Sequence, residues 1–212
     1  MKACIFDLDG VIADTVEFHY LASKKTADVL DITFTRKMNE QWQGRSRKAL
    51  MEAMLFQSSE TKYTEAELGR MKNDIYRTYI NYLTPEDTLP GAAELIYDLK
   101  NNGVPLALAS SSSNAEFVIR KLGLYSSFDY IVPVEDVKNM KPDPEIFLRA
   151  AAFLNISPKD CAGIEDSVAG TKAVKQAGMT AVSVGKDNPG GDIHVSSLLE
   201  LNYFILCEAV ER

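Results

Sequence analysis

The chain has 212 residues, 46% hydrophobic and 25% charged, which fits a globular protein with a substantial core and argues against disorder. Its 30 acidic and 23 basic residues give a net charge of -7, which disfavours nucleic acid or an anionic membrane as the main partner; an anionic substrate would have to be held by local cations. Acid appears in Met1-Lys2-Ala3-Cys4-Ile5-Phe6-Asp7 before any signal-length apolar stretch, and no run approaches about 18 apolar residues, so neither export nor a membrane span is expected.

The first predicted strand, Cys4 to Ile12, is an apolar run interrupted by Asp7, Asp9 and Gly10. Two residues apart on a strand, the two acids can share a face. There they repel, by roughly 4 kcal/mol for a ~4 Å pair at an effective dielectric of ~20, unless a cation or a proton intervenes. An Asp-x-Asp pair also starts turns and caps helices, so both readings stand at this point. Helices are predicted next, from caps at Asp14 and Thr15 to about Asp31, then over Thr35 to Gln43, Ser46 to Phe56 and Thr64 to Leu83. Thr64 and Glu67 have the spacing of a capping box. Nothing between Asp14 and Thr84 alternates like a strand. Residues 15–84 are therefore expected to form a small helical cap inserted into a core made of 1–14 and 85–212.

From Pro90-Gly91 onward, helix and strand alternate. A helix over Ala92 to Leu99 precedes a strand over Val104 to Ala109; a helix over Ala115 to Lys121 precedes a strand over Tyr130 to Val134. Asp143-Pro144 opens a helix with Pro at its first position and Ile146, Phe147, Ala150, Ala151 and Leu154 inward. Strands Cys161 to Ile164 and Thr180 to Val184 flank a helix from Ser167 to Gln176, and a weaker strand, Ile193 to Val195, precedes a C-terminal helix. This order predicts an α/β fold, a doubly wound parallel sheet with right-handed crossovers. Cys4, Cys161 and Cys207 contain no Cys-x-x-Cys pair and read as reduced thiols of a cytoplasmic protein.

Four predicted strand ends carry polar groups. Besides Asp7 and Asp9, Ser110-Ser111-Ser112-Ser113-Asn114 offers hydroxyls and free amides before a helix, which suits a phosphate as well as a plain serine cap. Lys141, ahead of Pro142, is biased to extended backbone before a helix start; a solvated surface lysine is the alternative. Glu165 and Asp166 end another apolar strand and compete with helix capping by Asp166 or Ser167. In a parallel sheet all these ends open on one edge. Hard oxygen ligands there suit Mg²⁺, and the ensemble reads as a phosphoryl-transfer site with an aspartate nucleophile.

Phe6-Asp7-Leu8-Asp9-Gly10-Val11, Ala109-Ser110, Lys141-Pro142 and Gly163-Ile164-Glu165-Asp166 resemble the four signature motifs of the haloacid dehalogenase superfamily, in order and across nearly the whole core. The helical insertion resembles the small cap of its phosphatases and phosphomutases. The chain is most similar to the β-phosphoglucomutase-like subgroup, through Ile12-Ala13-Asp14-Thr15, Phe18-His19-Tyr20, Gly44-Arg45-Ser46-Arg47, Lys72-Asn73-Asp74, Ala107-Leu108-Ala109-Ser110 and Lys141-Pro142-Asp143-Pro144.

The resemblance implies Asp7 as nucleophile, Asp9 as general acid/base, and Ser110 and Lys141 as holders of the transferring phosphoryl group. It implies Mg²⁺ on Asp7, the Asp9 carbonyl and Asp166, with Glu165 at or near the ion. Arg47 on the cap, with Ser112 and Asn114 on the core, would hold a second phosphate; Gly44, Arg45 and Ser111 would border the substrate, and His19 and Lys72 would act from the cap. The activity implied is interconversion of β-glucose 1-phosphate and glucose 6-phosphate through a bisphosphate, with a small sugar phosphate as partner and a monomeric state. Gln43, Ser113 and Ser23 depart from the subgroup, standing in place of two lysines and of a tryptophan that lines the sugar pocket, while Arg45 and Trp42 are candidates to compensate. A sugar phosphatase using water as acceptor is the first rival. A receiver-type phospho-aspartate switch is the second, though it has no use for so large an insertion.

Overall fold

The computed structural model describes residues 1–59, 62–186 and 188–211. Its sheet is parallel throughout, in the order β3-β2-β1-β4-β5-β6, with strands β1 (Ala3–Phe6), β2 (Leu106–Leu108), β3 (Tyr130–Ile131), β4 (Cys161–Glu165), β5 (Thr180–Val184) and β6 (Ile193–Val195). The strands read as unbroken apolar runs because both faces are covered. On one face Cys4, Phe6, Leu106, Leu108, Ala162 and Ile164 pack with α5 (Ala92–Asn101), α6 (Ala115–Lys121) and α9 (Tyr203–Glu211). On the other, Ala3, Ile5, Ala107, Cys161 and Ala181 pack with α7 (Glu145–Phe153) and α8 (Val168–Gln176). Successive residues of β1 thus serve opposite layers, as a two-residue period requires.

Between β1 and α5 lie α1 (Val16–Val29), α2 (Arg36–Trp42), α3 (Arg47–Gln57) and α4 (Glu65–Ile80). They enclose an apolar cluster of their own, built on Tyr20, Leu30, Phe34, Leu50, Met51, Met54 and Leu68. The expected Thr64–Glu67 capping box starts α4. The two chain crossings into these helices lie side by side: Ala13 bridges Thr88, and the Leu89 N–H donates to the Ile12 carbonyl at 2.9 Å.

Register delivers the strand ends together. Phe6 is level with Leu108 on one side and Ile164 on the other, so Asp7, Ala109-Ser110 and Glu165-Asp166 emerge on one edge. Three expectations are corrected. The first strand stops at Phe6, not Ile12, because the Leu8 carbonyl accepts from the N–H groups of Val11, Ile12 and Ala13 and so closes a turn. Gly10 in that turn has φ 83, and a Cβ there would overlap Asp166 Oδ2. The second and third strands are shorter than expected, β3 because it is an edge strand paired only with β2 among the described residues. Pro144 is the residue before α7 and not its first, since its carbonyl accepts from Phe147 and Leu148.

Glu145, first residue of α7, folds the segment leading to Lys141. Its carboxylate accepts from the backbone N–H groups of Lys138 (3.1 Å) and Asn139 (2.9 Å) and from Arg149 Nε (2.8 Å). Those bonds, led by the one from Lys138, hold its pKa down from 4.5 to about 2. A carboxyl so lowered stabilises the fold fully above its unfolded value and ceases to do so as pH falls through its folded value. Glu145→Gln is therefore expected to melt below the parent at pH 7, with the gap closing between about pH 5 and 2; thermal midpoints taken across that range check it, and a pH-independent gap would contradict it.

Candidate active site

Lys141 is wholly buried, and its ammonium donates to Asp7 Oδ1 (2.5 Å), to the Ala109 carbonyl (2.9 Å) and to Glu165 Oε1. Burial works against its charge, but Asp7 and Glu165 outweigh burial and raise its pKa. The surface-lysine alternative is thereby removed. Glu165 Oε2 also accepts from the Ser167 N–H (3.1 Å) and hydroxyl (2.9 Å). Gly170 leaves room for this carboxylate, since a Cβ there would overlap it.

Asp7, Glu165 and Asp166 each bring a carboxylate oxygen within 4.8 Å of the others. Burial foremost, then the neighbouring carboxylates, push the pKa values of Asp7 and Asp166 up. One ammonium does not balance three crowded carboxylates, and the donor set is hard oxygen throughout, so the cluster fits a divalent cation. The expected crowding is closest in this trio, and Asp9 adds to it at Asp7 and Asp166 although its own carboxylate has separate partners.

Asp9 sits beyond the turn and is held by the helical insertion. Its Oδ1 accepts from the Thr15 hydroxyl, from Tyr76 Oη (3.3 Å) and from His19 Nε2 (3.2 Å). Burial opposes its ionisation, but His19 and the two hydroxyls prevail and bring its pKa down to about 2. Thr15 was expected as a helix cap; its hydroxyl makes no cap bond to α1 because it is committed to Asp9.

The His19 ring stacks on Tyr76 at 4.0 Å, and its Nδ1 lies 3.4 Å from Lys72 Nζ. An ammonium only donates, so Nδ1 is the acceptor and Nε2 carries the proton given to Asp9. Burial, ahead of the opposing pull of Asp9, lowers the His19 pKa, in keeping with a neutral ring. The result is an ordered relay of donors, Lys72 to His19 to Asp9. Burial and then Arg47 bring the Lys72 pKa down to about 8. If the charged form of Lys72 serves the substrate, kcat/KM falls above about pH 8, and Lys72→Met lowers it roughly 10-fold at pH 7 while flattening that limb. A limb that persists in the variant would refute the assignment.

A second polar cluster joins the helices to the core. Arg47 Nη1 donates to Asn73 Oδ1 at 2.7 Å and lies 3.4 Å from Ser113 Oγ, and Asn114 Nδ2 donates to the same Asn73 oxygen at 2.9 Å. Ser112 accepts from the Asn114 N–H (3.2 Å), and the Ser111 hydroxyl donates to the Gly44 carbonyl at 2.7 Å. Gln43 Nε2 donates to Asp166 Oδ2 at 3.3 Å, so a departure from the family pattern meets the acidic trio directly.

A cavity of about 330 Å³ connects the two clusters, with Asp7, Asp9 and Asp166 at one part of its wall and Arg47 and Asn114 at another. His19, Gly44, Arg45, Lys72, Ser111 and Ser112 also line it, whereas Ser110, Lys141 and Glu165 are buried behind its lining. The Arg45 guanidinium sits 5.7 Å from the Trp42 ring centre, both on the cavity wall. Asn73 and Tyr76 were not among the expected site residues; the only signal for Asn73 was its place beside Lys72.

A family model described as haloacid dehalogenase-like hydrolase matches residues 1–178. The chain is 49% identical to a β-phosphoglucomutase of Bacillus subtilis (strain 168), covering 100% of this chain and 96% of the relative. It is 31% identical to a phosphorylated carbohydrates phosphatase of Thermotoga maritima over 86% of this chain and 84% of that one. Among solved structures, a β-phosphoglucomutase from Clostridium difficile superposes with a TM-score of 0.93 at 37% identity, covering 100% of this chain and 97% of the other.

Proposed function

The chain belongs to the haloacid dehalogenase-like hydrolase family, and from that premise we propose that it interconverts β-glucose 1-phosphate and glucose 6-phosphate, the reaction of a β-phosphoglucomutase. The observation that carries this reading is one cavity with two separately built clusters on its wall, an acidic trio that fits a cation and is backed by Lys141, and a cationic one around Arg47 that suits an anion directly. A phosphatase needs one phosphate position. A mutase whose bisphosphate turns round needs two, and arginine's planar fork suits the second.

Residues 15–84 act as the cap in this reading, with hinges at Asp14-Thr15 and Thr84-Pro85, the paired crossings. Asp7 and Asp166, with Glu165 at or beside the ion, would hold Mg²⁺ together with the Asp9 carbonyl that the family resemblance implies, and the ion would supply positive charge against the phosphoryl oxygens. Phosphorylated at Asp7, the enzyme passes its phosphoryl group to a sugar hydroxyl while Asp9 takes the hydroxyl proton. Low pKa and three donors keep Asp9 ionised and aimed for that step. After the bisphosphate reorients, Asp7 attacks the other phosphorus, the bond between that phosphorus and its sugar oxygen breaks, and Asp9 returns the proton to the departing oxygen. Lys141 and Ser110 steady the moving phosphoryl group, and His19 keeps Asp9 in place from the cap.

The test is a paired assay with Mg²⁺, β-glucose 1-phosphate and a trace of glucose 1,6-bisphosphate, reading glucose 6-phosphate and inorganic phosphate in one tube. Fast glucose 6-phosphate with little free phosphate is expected. Free phosphate as the main product would overturn the mutase reading in favour of a phosphatase.

A further inference from the structure

We propose that Ser23 and Asn39 form a hydroxyl-recognition site on the cap side of the cavity and select the polyol part of the substrate; this rests on the sugar-phosphate reading above. Ser23, on α1, has no solvent exposure and lines the cavity. Among the described residues its Oγ is the one buried side-chain polar atom without a hydrogen-bond partner. A serine within a helix can donate to the carbonyl four residues back, as Thr26 does on the same helix, to Ala22 at 2.9 Å. Ser23 makes no such bond, so its donor and its acceptor capacity both remain for whatever enters the cavity.

Asn39 comes from a different helix, α2, and lines the same cavity at 7% exposure. Among the described residues its carboxamide has no hydrogen-bond partner, although its backbone N–H is satisfied by the Thr35 carbonyl at 3.0 Å. Native interiors pair almost all buried polar groups, so Ser23 Oγ is an exception that calls for a partner, and the neutral Asn39 carboxamide stands on the same cavity wall. Arg47 and Lys72 supply charge elsewhere on this wall. A hydroxyl and an amide without charge suit groups that both donate and accept, which are the ring hydroxyls of a sugar.

Sites built to bond a hydroxyl discriminate against the analogue that lacks it, because their own polar groups are left unpaired. The experiment compares wild type and Ser23→Ala with β-glucose 1-phosphate and its 2-, 3- and 4-deoxy analogues, by calorimetric dissociation constants and by KM and kcat. In wild type, one deoxy analogue is expected to bind roughly 10-fold more weakly than the parent. In Ser23→Ala the parent should weaken to match that analogue, with kcat within about 2-fold and the thermal midpoint unchanged or raised, since an unpaired hydroxyl has been removed. Parent-to-deoxy ratios identical in both proteins would overturn the proposal, as would equal weakening of every ligand. Asn39→Leu offers the second variant, with the same expectation for a ring hydroxyl. Product identity in wild type tests the mutase reading separately, because the ratios keep their meaning whether the product is glucose 6-phosphate or free phosphate.

Discussion

Asp7→Asn is expected to lower turnover by at least ~10⁴-fold, because the carboxamide keeps the shape of the group and removes the nucleophile. The fold should not suffer. Burial and the carboxylates around it raise the Asp7 pKa, so above that value its charge is held at a cost to the native state. Taking the charge away relieves the crowding with Glu165 and Asp166, while Lys141 keeps Glu165 and the Ala109 carbonyl as partners. A metal-free thermal midpoint at or above that of the parent is therefore expected at pH 8, together with weaker retention of divalent cations. Turnover by the coupled assay and melting by calorimetry check both halves. Residual activity above about 1% of the parent would remove Asp7 from the nucleophile's role. A large fall in melting temperature would mean that the carboxylate is structural, contrary to the stability–activity opposition expected at a site.

Asp7, Ser110, Glu165 and Asp166 were legible in the sequence because they lie at the ends of apolar runs, and a parallel sheet brings the ends of its strands to one edge whatever the details of packing. The layered core was legible on the same grounds, since continuous apolar strands imply cover on both faces. Lys141 was legible by a different sign, its place ahead of Pro142 before a helix start. The partners of Asp9 were not. Tyr76 is 1% exposed on α4, and its spacing marks it as a core residue, which it also is. That its hydroxyl reaches Asp9 and its ring supports His19 follows from how α1 and α4 face each other, and periodicity reports a buried face without naming what lies against it. Asn73 gathers Arg47 and Asn114 for the same reason. Gln43 reads as a lost lysine in the chain, and its bond to Asp166 depends on a loop path that no local pattern encodes.

Lys141→Met should be the most destabilising of the substitutions considered, and its effect should depend on pH. Lys141 is the ammonium that faces Asp7 and Glu165, with no exposed side-chain surface of its own. Removing one member of a buried ion pair leaves the other uncompensated, at about 3–5 kcal/mol. For a chain of this size each kcal/mol moves the melting midpoint by roughly 2–4 °C, so a fall on the order of 6–20 °C is expected at pH 8. Without the ammonium the Asp7 carboxyl, already raised by burial and by the neighbouring carboxylates, holds its proton to still higher pH. An acid whose folded pKa is raised destabilises the fold above that pKa and no longer does so below its unfolded value, so the deficit should shrink as pH falls from 8 towards 4. Divalent cation should narrow it as well, because the ion would supply the missing positive charge to the same oxygens. Turnover should stay at least ~10²-fold below the parent even with metal, since among the described residues no other side-chain cation bonds Asp7 and could steady the phosphoryl group there. A melting midpoint at pH 8 equal to the parent's would show that the carboxylates need no internal counter-charge, and the reading of this edge of the sheet as an electrostatically poised site would fail with it.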